Sequence, residues 1–260
     1  MKITTLIENT SVSPALAAEH GLSLFVQTQR HRFLFDAGQS PAFAENARRL
    51  GIDLKTADFA ILSHGHYDHG GGMLRFLEEN RRAKLYVNQN AFGCYCNGTG
   101  KYIGLDGRLC ASDRLVRTGD ICTIAPGLTL STCNDRERPV PTDSFGLTER
   151  VGEFFLPDDF LHEQYLLIEE NGKRILLSGC SHKGILNILH WFRPDVLVGG
   201  FHFKQLPPDS DRLRAYGEAL AKYDTVFYTG HCTGQDQYAV LKTILGDQLH
   251  AISTGTVVEI

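Results

Sequence analysis

The chain has 260 residues, and its 26 basic and 30 acidic side chains give a formal net charge of −4. A chain of this length forms one large domain or two small ones, and a content of 42% hydrophobic and 22% charged residues is ordinary for a globular protein. The mild acidity disfavours a protein that coats nucleic acid, because such proteins usually present a basic surface. We therefore expect no nucleic-acid partner, whereas a small-molecule substrate that is anionic stays compatible with the composition, because local charge can differ from the total.

Cysteine content and the N-terminal segment bear on the cellular compartment. No segment approaches the ~18 consecutive apolar residues that a membrane-spanning helix needs, and residues 1–21 contain no apolar core of signal-peptide length. The seven cysteines are odd in number and scattered, which excludes complete disulfide pairing within one chain. We expect a cytoplasmic protein that has reduced thiols and does not associate with membranes.

The first ninety residues alternate between strand and helix patterns. Phe43, Ala44, Ala47 and Leu50 recur at the spacing of one helix face. The predicted elements are, in chain order, strands at residues 3–7, 22–27 and 32–35, a helix at 41–50, a strand at 58–62, a helix after Gly72 and a strand at 84–87.

The middle of the chain is less regular. Residues 90–120 and 134–160 show no clear period, whereas strands are predicted at 121–124 and 128–133 between them. We interpret residues 90–160 as an insertion or as loops that cover a site, within a single domain of residues 1–260.

The last hundred residues alternate clearly again. Asn171-Gly172 is a strong hairpin dipeptide between two apolar runs. The predicted elements are strands at 165–169 and 174–178, a helix at 184–192, a strand at 196–199, a helix at 212–222, a strand at 225–228 and a helix at 235–245. This alternation predicts an α/β protein built on layered sheets.

The most informative segment follows the predicted strand at residues 58–62 and reads ILSHGHYDHGGG from Ile61. Its ligand-type residues are His64, His66, Asp68 and His69. A tight loop between a strand and a helix can turn these side chains toward one cavity, and imidazole with carboxylate suits zinc, iron or manganese. The pattern therefore predicts a metal site rather than a solvated polar loop.

This segment resembles the HxHxDH signature of the metallo-β-lactamase superfamily. Further motifs are similar to one branch of that family, and they are LFDAGQS from residue 34, SGCSHKGILN from residue 178, VGGFHF from residue 198 and TGHCTG from residue 229. That branch consists of proteins that are similar to 7,8-dihydropterin-6-methyl-4-(β-D-ribofuranosyl)-aminobenzene-5′-phosphate synthase. The resemblance covers nearly the whole chain and implies a four-layer αββα sandwich with a metal site at one edge of its sheets.

The resemblance also implies a ligand set for two divalent metal ions, with zinc as the first choice and manganese or iron as alternatives. It assigns His64 and His66 to the first metal and Asp68 and His69 to the second. His231, in the TGHCTG motif, matches the last histidine ligand of the family.

The middle ligands are open, because this sequence departs from the family pattern. Many members have an aspartate after the strand that here ends near Ser178, whereas this chain continues Gly179-Cys180-Ser181-His182. We favour His182 as the replacement ligand over Cys180 acting as a thiolate. His162 is the candidate for the upstream histidine motif, and a purely structural histidine is an equally good interpretation.

Three further residues have candidate roles around the metals. His202 follows a predicted strand at the same sheet edge, which indicates substrate binding or proton transfer, and a histidine that only satisfies its own loop is an equally good interpretation. Asp36 ends a strand in LFDAG and is expected to orient a ligand histidine, because metal-bound imidazoles usually need a partner for the other ring nitrogen. Lys183, near the start of a predicted helix, is a candidate for receiving a phosphate.

The implied activity is that of a metallohydrolase in which two metals activate a hydroxide, with Asp68 and His202 as catalytic residues. A phosphoester or a pterin-related phosphorylated compound is the candidate substrate. Two alternatives use the same fold, namely an iron-containing oxidoreductase and a metal-binding sensor without turnover. The intact signature, with His66 where diiron electron-transfer members normally have glutamate, favours the hydrolase.

Overall fold

A computed structural model describes all 260 residues, Met1–Ile260, as a mixed α/β chain. The strands are β1 (Lys2–Ile7), β2 (Ser23–Gln27), β3 (Arg32–Phe35), β4 (Phe59–Ile61), β5 (Lys84–Asn88), β6 (Tyr95–Cys96), β7 (Leu115–Thr118), β8 (Ile121–Ala125), β9 (Leu128–Ser131), β10 (Thr148–Val151), β11 (Phe154–Pro157), β12 (Tyr165–Glu170), β13 (Lys173–Leu177), β14 (Val196–Val198), β15 (Val226–Thr229), β16 (Leu249–Ala251) and β17 (Val257–Glu259). The α helices are α1 (Ala42–Arg49), α2 (Tyr67–Gly70), α3 (Met73–Glu79), α4 (Ile185–Phe192), α5 (Asp211–Leu220) and α6 (Gln235–Leu245). None of these helices is long and apolar enough to cross a membrane.

The chain divides into two compact units. Unit 1 comprises Met1–Gly119, Gly146–Gln164 and Ser253–Ile260, and unit 2 comprises Asp120–Phe145 and Tyr165–Ile252. Each unit contains one seven-stranded sheet. The interpretation of residues 1–260 as a single domain stays a prediction.

The large sheet of unit 1 has the strand order β17-β1-β2-β3-β4-β5-β7. Its first four strands pair antiparallel, and β3, β4, β5 and β7 pair parallel. Phe43 and Ala47 of α1 and Met73 and Phe76 of α3 are buried together with sheet residues such as Leu34 in one apolar core. Burying a Phe or Met side chain contributes about 1.5–3 kcal/mol, so these two helices are held to the sheet mainly by their apolar faces.

Unit 2 has a similar sheet, in which antiparallel strands again come first along the chain and parallel strands follow. Its sheet order is β16-β15-β14-β13-β12-β9-β8, with β13 to β16 parallel and the remaining pairs antiparallel. The residues of the core are Leu176, Leu197, Phe227 and Leu249 from the strands and Ile188, Leu213, Leu220 and Leu241 from the helices. The predicted hairpin around Asn171 and Gly172 is confirmed, because both residues have the positive φ angles, 54° and 74°, that its turn requires.

The irregular middle contains four short strands that the sequence pattern did not reveal. β7 joins the large sheet of unit 1, and β6, β10 and β11 form a separate three-stranded sheet in the same unit. All four residues of β11 are exposed, so this strand lacks the alternation of buried and exposed residues by which a strand is recognised.

Candidate metal centre

Two parallel strands of unit 1 deliver the histidine motif and Asp36 to the same edge of the sheet. β3 and β4 pair parallel, with Phe35 opposite Ile61 at their carboxyl ends. Asp36 follows the first strand directly, and Ser63 and His64 follow the second. Because the carboxyl ends of parallel strands meet at one edge, the loops that leave them share a site, as in other open α/β sheets.

Asp36 organises the start of this loop and is fully buried. Its Oδ1 accepts the backbone N–H of Ser63 at 2.7 Å, and its Oδ2 lies 2.7 Å from both Ser63 Oγ and His69 Nδ1. Ser63 Oγ is in turn 2.8 Å from His64 Nδ1. The Nδ1 atoms of His64 and His69 thus have protein partners, and the Nε2 atoms are the nitrogens that these rings direct toward a ligand.

The other motif residues complete a tight imidazole and carboxylate group. The His64 ring centroid lies 4.7 Å from that of His66 and 4.1 Å from that of His69. Asp68, on the one-turn helix α2, has its Oδ2 4.0 Å from His69 Nε2 and 3.2 Å from His20 Nε2. The structure therefore brings all four predicted motif residues together and adds His20, which the sequence analysis did not single out. His20 stands in the short segment Glu19-His20-Gly21, which carries no recognisable ligand spacing.

Burial determines the charge state of His66. It lowers the pKa of His66 to about 3, an effect that the nearby His162 imidazole reinforces and the Asp68 carboxylate opposes. His66 is therefore neutral across the physiological range, and the neutral imidazole is the form that binds a metal ion.

His162 contacts the backbone of the loop that carries the histidine motif. The N–H of Gly65 donates to His162 Nδ1 at 2.9 Å, and His162 Nε2 is 3.1 Å from Asp158 Oδ2. Burial raises the pKa of Asp158, but hydrogen bonds from His162 and from the N–H of Phe160 outweigh it and hold that pKa below its usual range. Both ring nitrogens of His162 are therefore engaged within the protein.

Unit 2 carries a second group of ligand-type side chains, again at the carboxyl ends of parallel strands. Cys180 and His182 follow β13, His202 follows β14 and His231 follows β15. The candidate ligand atoms of Cys180, His182 and His202 all lie within 4.8 Å of one another. The unit thus brings both of the alternative middle ligands, His182 and Cys180, close to His202.

A further cysteine joins this group. The ligand atoms of Cys180, His231 and Cys232 also lie within 4.8 Å of one another. Gly200 leaves the room for it, since a Cβ atom there would be 2.3 Å from Cys232 Sγ. Burial raises the pKa of Cys232, yet the Cys180 thiol and the imidazoles of His202 and His231 lower it well below the usual range. Sequence analysis missed Cys232, although it stands inside the TGHCTG motif.

His202 is exceptional among these side chains. Both of its ring nitrogens are shielded from solvent and make no hydrogen bond of ordinary geometry, and its imidazole lies close enough to the Cys232 thiol to lower the pKa of that thiol. Its ring centroid lies 4.2 Å from that of His182 and 5.4 Å from that of Phe145. A buried polar atom without a partner costs free energy unless the site receives a ligand that satisfies it.

Lys183 does not have the surroundings of a phosphate receptor. The side chain is fully buried, and its Nζ donates to Thr132 O at 2.7 Å and to Asn134 Oδ1 at 2.6 Å. Its charge also lies 5.8 Å from the centre of the Tyr165 ring. These contacts tie the loop after β13 to the segment after β9, so Lys183 acts as an internal brace.

Strained backbone marks the same strand ends. Asp36, Ser181, His202 and His231 all have φ between +50° and +59°. Non-glycine residues rarely adopt this left-handed conformation, and such strain is concentrated at functional sites. Each group therefore combines ligand-type side chains with the backbone strain that is typical of functional sites.

The donor chemistry of both groups fits divalent metal ions. Imidazoles whose Nδ1 is anchored, a carboxylate and a thiol of lowered pKa are the ligands that zinc and its neighbours prefer. The ring nitrogens of His202, which are shielded from solvent and make no well-formed hydrogen bond, are a further feature that a bound ion or substrate would explain.

Comparison with known proteins decides the family. The model of the metallo-β-lactamase superfamily matches residues 17–231, which include the histidine motif and His231. The chain belongs to the metallo-β-lactamase superfamily. Members of this superfamily bind metal ions, and the predicted α/β fold class is confirmed.

Individual relatives agree with this assignment. The chain is 28% identical over 262 residues to the 7,8-dihydropterin-6-methyl-4-(β-D-ribofuranosyl)-aminobenzene-5′-phosphate synthase of Methanocaldococcus jannaschii, covering 90% of this chain and 88% of the relative. It is 27% identical over 243 residues to the uncharacterized protein MJ0448 of the same organism, covering 89% and 90% of the two chains. The crystal structure of Tm1679, described as a metal-dependent hydrolase of the β-lactamase superfamily, superimposes with a TM-score of 0.83 at 26% identity and covers 100% of this chain and 99% of that one. The resemblance to the synthase-like branch is thereby confirmed.

Proposed function

We propose that this superfamily member is a metal-dependent hydrolase that binds two divalent ions, zinc in the first instance, and acts on a phosphoester or a pterin-related phosphorylated compound. The residues proposed to bind the ions are His64, His66, Asp68, His69, His182 and His231, with Cys180 as the thiolate alternative to His182. The substrate class is supported by the activity named for the synthase relative.

The observation that carries the proposal is the hydrogen-bond network of Asp36. This buried carboxylate holds His69 Nδ1 at 2.7 Å and, through Ser63, also positions His64. An imidazole fixed in this way presents Nε2 as a lone-pair donor in one direction. Structural histidines need no such alignment of several rings.

Asp68 and His202 would have different roles in the reaction. When bound, the two ions would lower the pKa of water and withdraw charge from the oxygen atoms of the substrate. Asp68 lies within 3.2 Å of His20 Nε2, so a proton accepted by its carboxylate has an adjacent imidazole to which it can pass. His202 has two solvent-shielded ring nitrogens that no well-formed hydrogen bond occupies, which suits it to contact the substrate and to donate a proton to the leaving group.

The test combines metal analysis with turnover. Protein purified without a metal-affinity resin is analysed by plasma mass spectrometry and assayed with bis(p-nitrophenyl) phosphate. We expect about two ions per chain and hydrolysis, with activity abolished in Asp68→Asn and retained in the control Asp106→Asn, whose carboxylate pairs with Arg108 at an exposed site.

Three results would argue against the proposal. Near-normal hydrolysis by a folded Asp68→Asn protein would remove Asp68 from the mechanism. Bound iron with redox activity but no hydrolysis would favour the oxidoreductase. Fully loaded protein without turnover of ester, lactone or phosphodiester substrates would favour a sensor.

A further inference from the structure

The segment of residues 158–164 contacts the metal-binding loop of unit 1, and all of its residues except Asp159 and Leu161 are buried. His162, Glu163 and Gln164 are fully buried, and Asp158 is 5% exposed. The segment turns through Phe160, which has a left-handed φ of 55° and donates its N–H to Asp158 Oδ1 at 2.7 Å. So much buried polarity is costly unless every group is paired, which indicates that the segment is built for its contacts.

These contacts converge on the backbone of the metal-binding loop. The Gln164 side chain donates to Leu62 O at 2.8 Å, and its backbone N–H donates to Ser63 O at 2.8 Å. Two residues further along the loop, the N–H of Gly65 donates to His162 Nδ1. Gly65 stands between His64 and His66, so its peptide group sets the direction in which both rings leave the backbone.

The Gly65 contact also determines the arrangement of hydrogen atoms on His162. A backbone N–H can only donate, so Nδ1 must accept with its lone pair. The ring proton then resides on Nε2 and is donated to Asp158 Oδ2 at 3.1 Å. Asp158 therefore orients the ring of His162, and the ring in turn holds the Gly65 peptide.

The space around the Gly65 peptide and the His162 ring is closely packed. A Cβ atom on Gly65 would lie 2.4 Å from Ala91 O and 2.9 Å from Tyr95 Cε2. The Tyr95 ring centroid lies 4.0 Å from that of His162, and the His66 ring centroid lies 5.1 Å from it. The His162 ring thus fills the space between the Gly65 peptide, the Tyr95 ring and the ring of a proposed ligand.

From this geometry we infer that Asp158 and His162 are positioning residues for the metal centre, a role distinct from that of a ligand. They fix the Gly65 peptide and, through it, the directions of His64 and His66. The inference rests on the proposed function only in taking these two histidines as metal ligands. It requires no particular substrate.

The test measures metal binding in full-length protein, independently of turnover. Metal-free wild type, His162→Leu and His162→Asn are titrated with Co²⁺ in competition with a chelator, and the Co²⁺ absorption spectrum is recorded. Loss of such a supporting contact typically lowers metal affinity about 10–100-fold, and we expect this loss and an altered spectrum in His162→Leu. The Asn side chain can place its oxygen near the Nδ1 position, so His162→Asn should recover affinity to within about threefold of wild type.

His31→Leu is the matched control. His31 also pairs with an aspartate of unit 1, since its Nδ1 is 3.6 Å from Asp58 Oδ2, but both side chains are partly exposed. We expect this variant to bind Co²⁺ as wild type does. An unchanged affinity and spectrum in His162→Leu would overturn the inference, as would an equal loss in His31→Leu.

The wild-type protein provides a second measurement that needs no folded variant. Nitrogen-15 NMR of the His162 ring should show a protonated Nε2 and an unprotonated Nδ1, both before and after metal loading. Direct binding of either nitrogen to the metal would overturn the positioning role. Wild type that binds Co²⁺ as described but hydrolyses nothing would refute the proposed hydrolase while leaving this inference supported.

Discussion

Replacing Asp36 by asparagine tests whether one buried carboxylate prepares the histidine motif for metal. Asparagine has nearly the same shape, and it tolerates the left-handed φ of 59° as aspartate does. It nevertheless keeps one oxygen where the carboxylate has two, each of which accepts hydrogen bonds from Ser63 or His69. The substitution therefore changes hydrogen bonding with little change in packing.

The expected magnitude follows from these contacts. If the amide oxygen accepts the Ser63 N–H, its NH₂ group faces His69 Nδ1, which must then accept. The His69 proton moves to Nε2, where it blocks metal binding. Loss of a hydrogen bond to a charged group costs about 1.5–3 kcal/mol, and the usual 10–100-fold loss of affinity on removing such a partner corresponds to about 1.4–2.8 kcal/mol.

The assay is competition between the protein and a chelator for zinc, with urea unfolding of the metal-free protein measured in parallel. Asp58→Asn is the control, because Asp58 also contacts a histidine ring, His31, but its side chain is 52% exposed. Zinc affinity of Asp36→Asn within threefold of wild type would refute the reasoning.

Two further predictions concern buried nitrogen atoms. Lys183→Met removes both hydrogen bonds of Nζ and leaves the carbonyl of Thr132 without this donor. We therefore expect the free energy of unfolding in urea to fall by about 1–3 kcal/mol. An unchanged unfolding midpoint would contradict the stabilising role of Lys183. In the metal-free protein, the His66 pKa of about 3 lies below the unfolded value of about 6.5, so the unfolded chain takes up the proton first. Stability should thus decrease as the pH is lowered from about 6.5 toward 3. His66→Gln should flatten urea midpoints measured across this window, and a pH profile identical to that of wild type would contradict the assignment.

The parts of the site that could be predicted are those encoded locally. The spacing of His64, His66, Asp68 and His69 after an apolar strand is a local pattern, and the structure places these residues together. The role of Asp36 could also be anticipated, because a polar residue at the end of an adjacent strand meets the same sheet edge.

The parts that could not be predicted depend on tertiary partners. The sequence is compatible with His162 as a metal ligand or as a structural histidine, and only the tertiary structure shows Asp158 and the Gly65 N–H at its two nitrogens. The sequence predicts that Lys183 contacts a phosphate, whereas the structure shows that its Nζ donates hydrogen bonds to Thr132 and Asn134. A sequence records which polar groups are present but not which of them pair.

The position of β17 affects how the protein is made. This strand completes the edge of the sheet beside β1, where Ile3 is opposite Val258, yet almost the whole chain separates the two. At the usual rate of about 5–20 residues per second, some 13–50 s pass on the ribosome between synthesis of the first strand and of its outer partner. During that time β1 presents an open edge of the kind that pairs with other chains. Until β17 is added, the nascent form of the unit that contains the histidine motif therefore keeps this edge open to pairing with other chains.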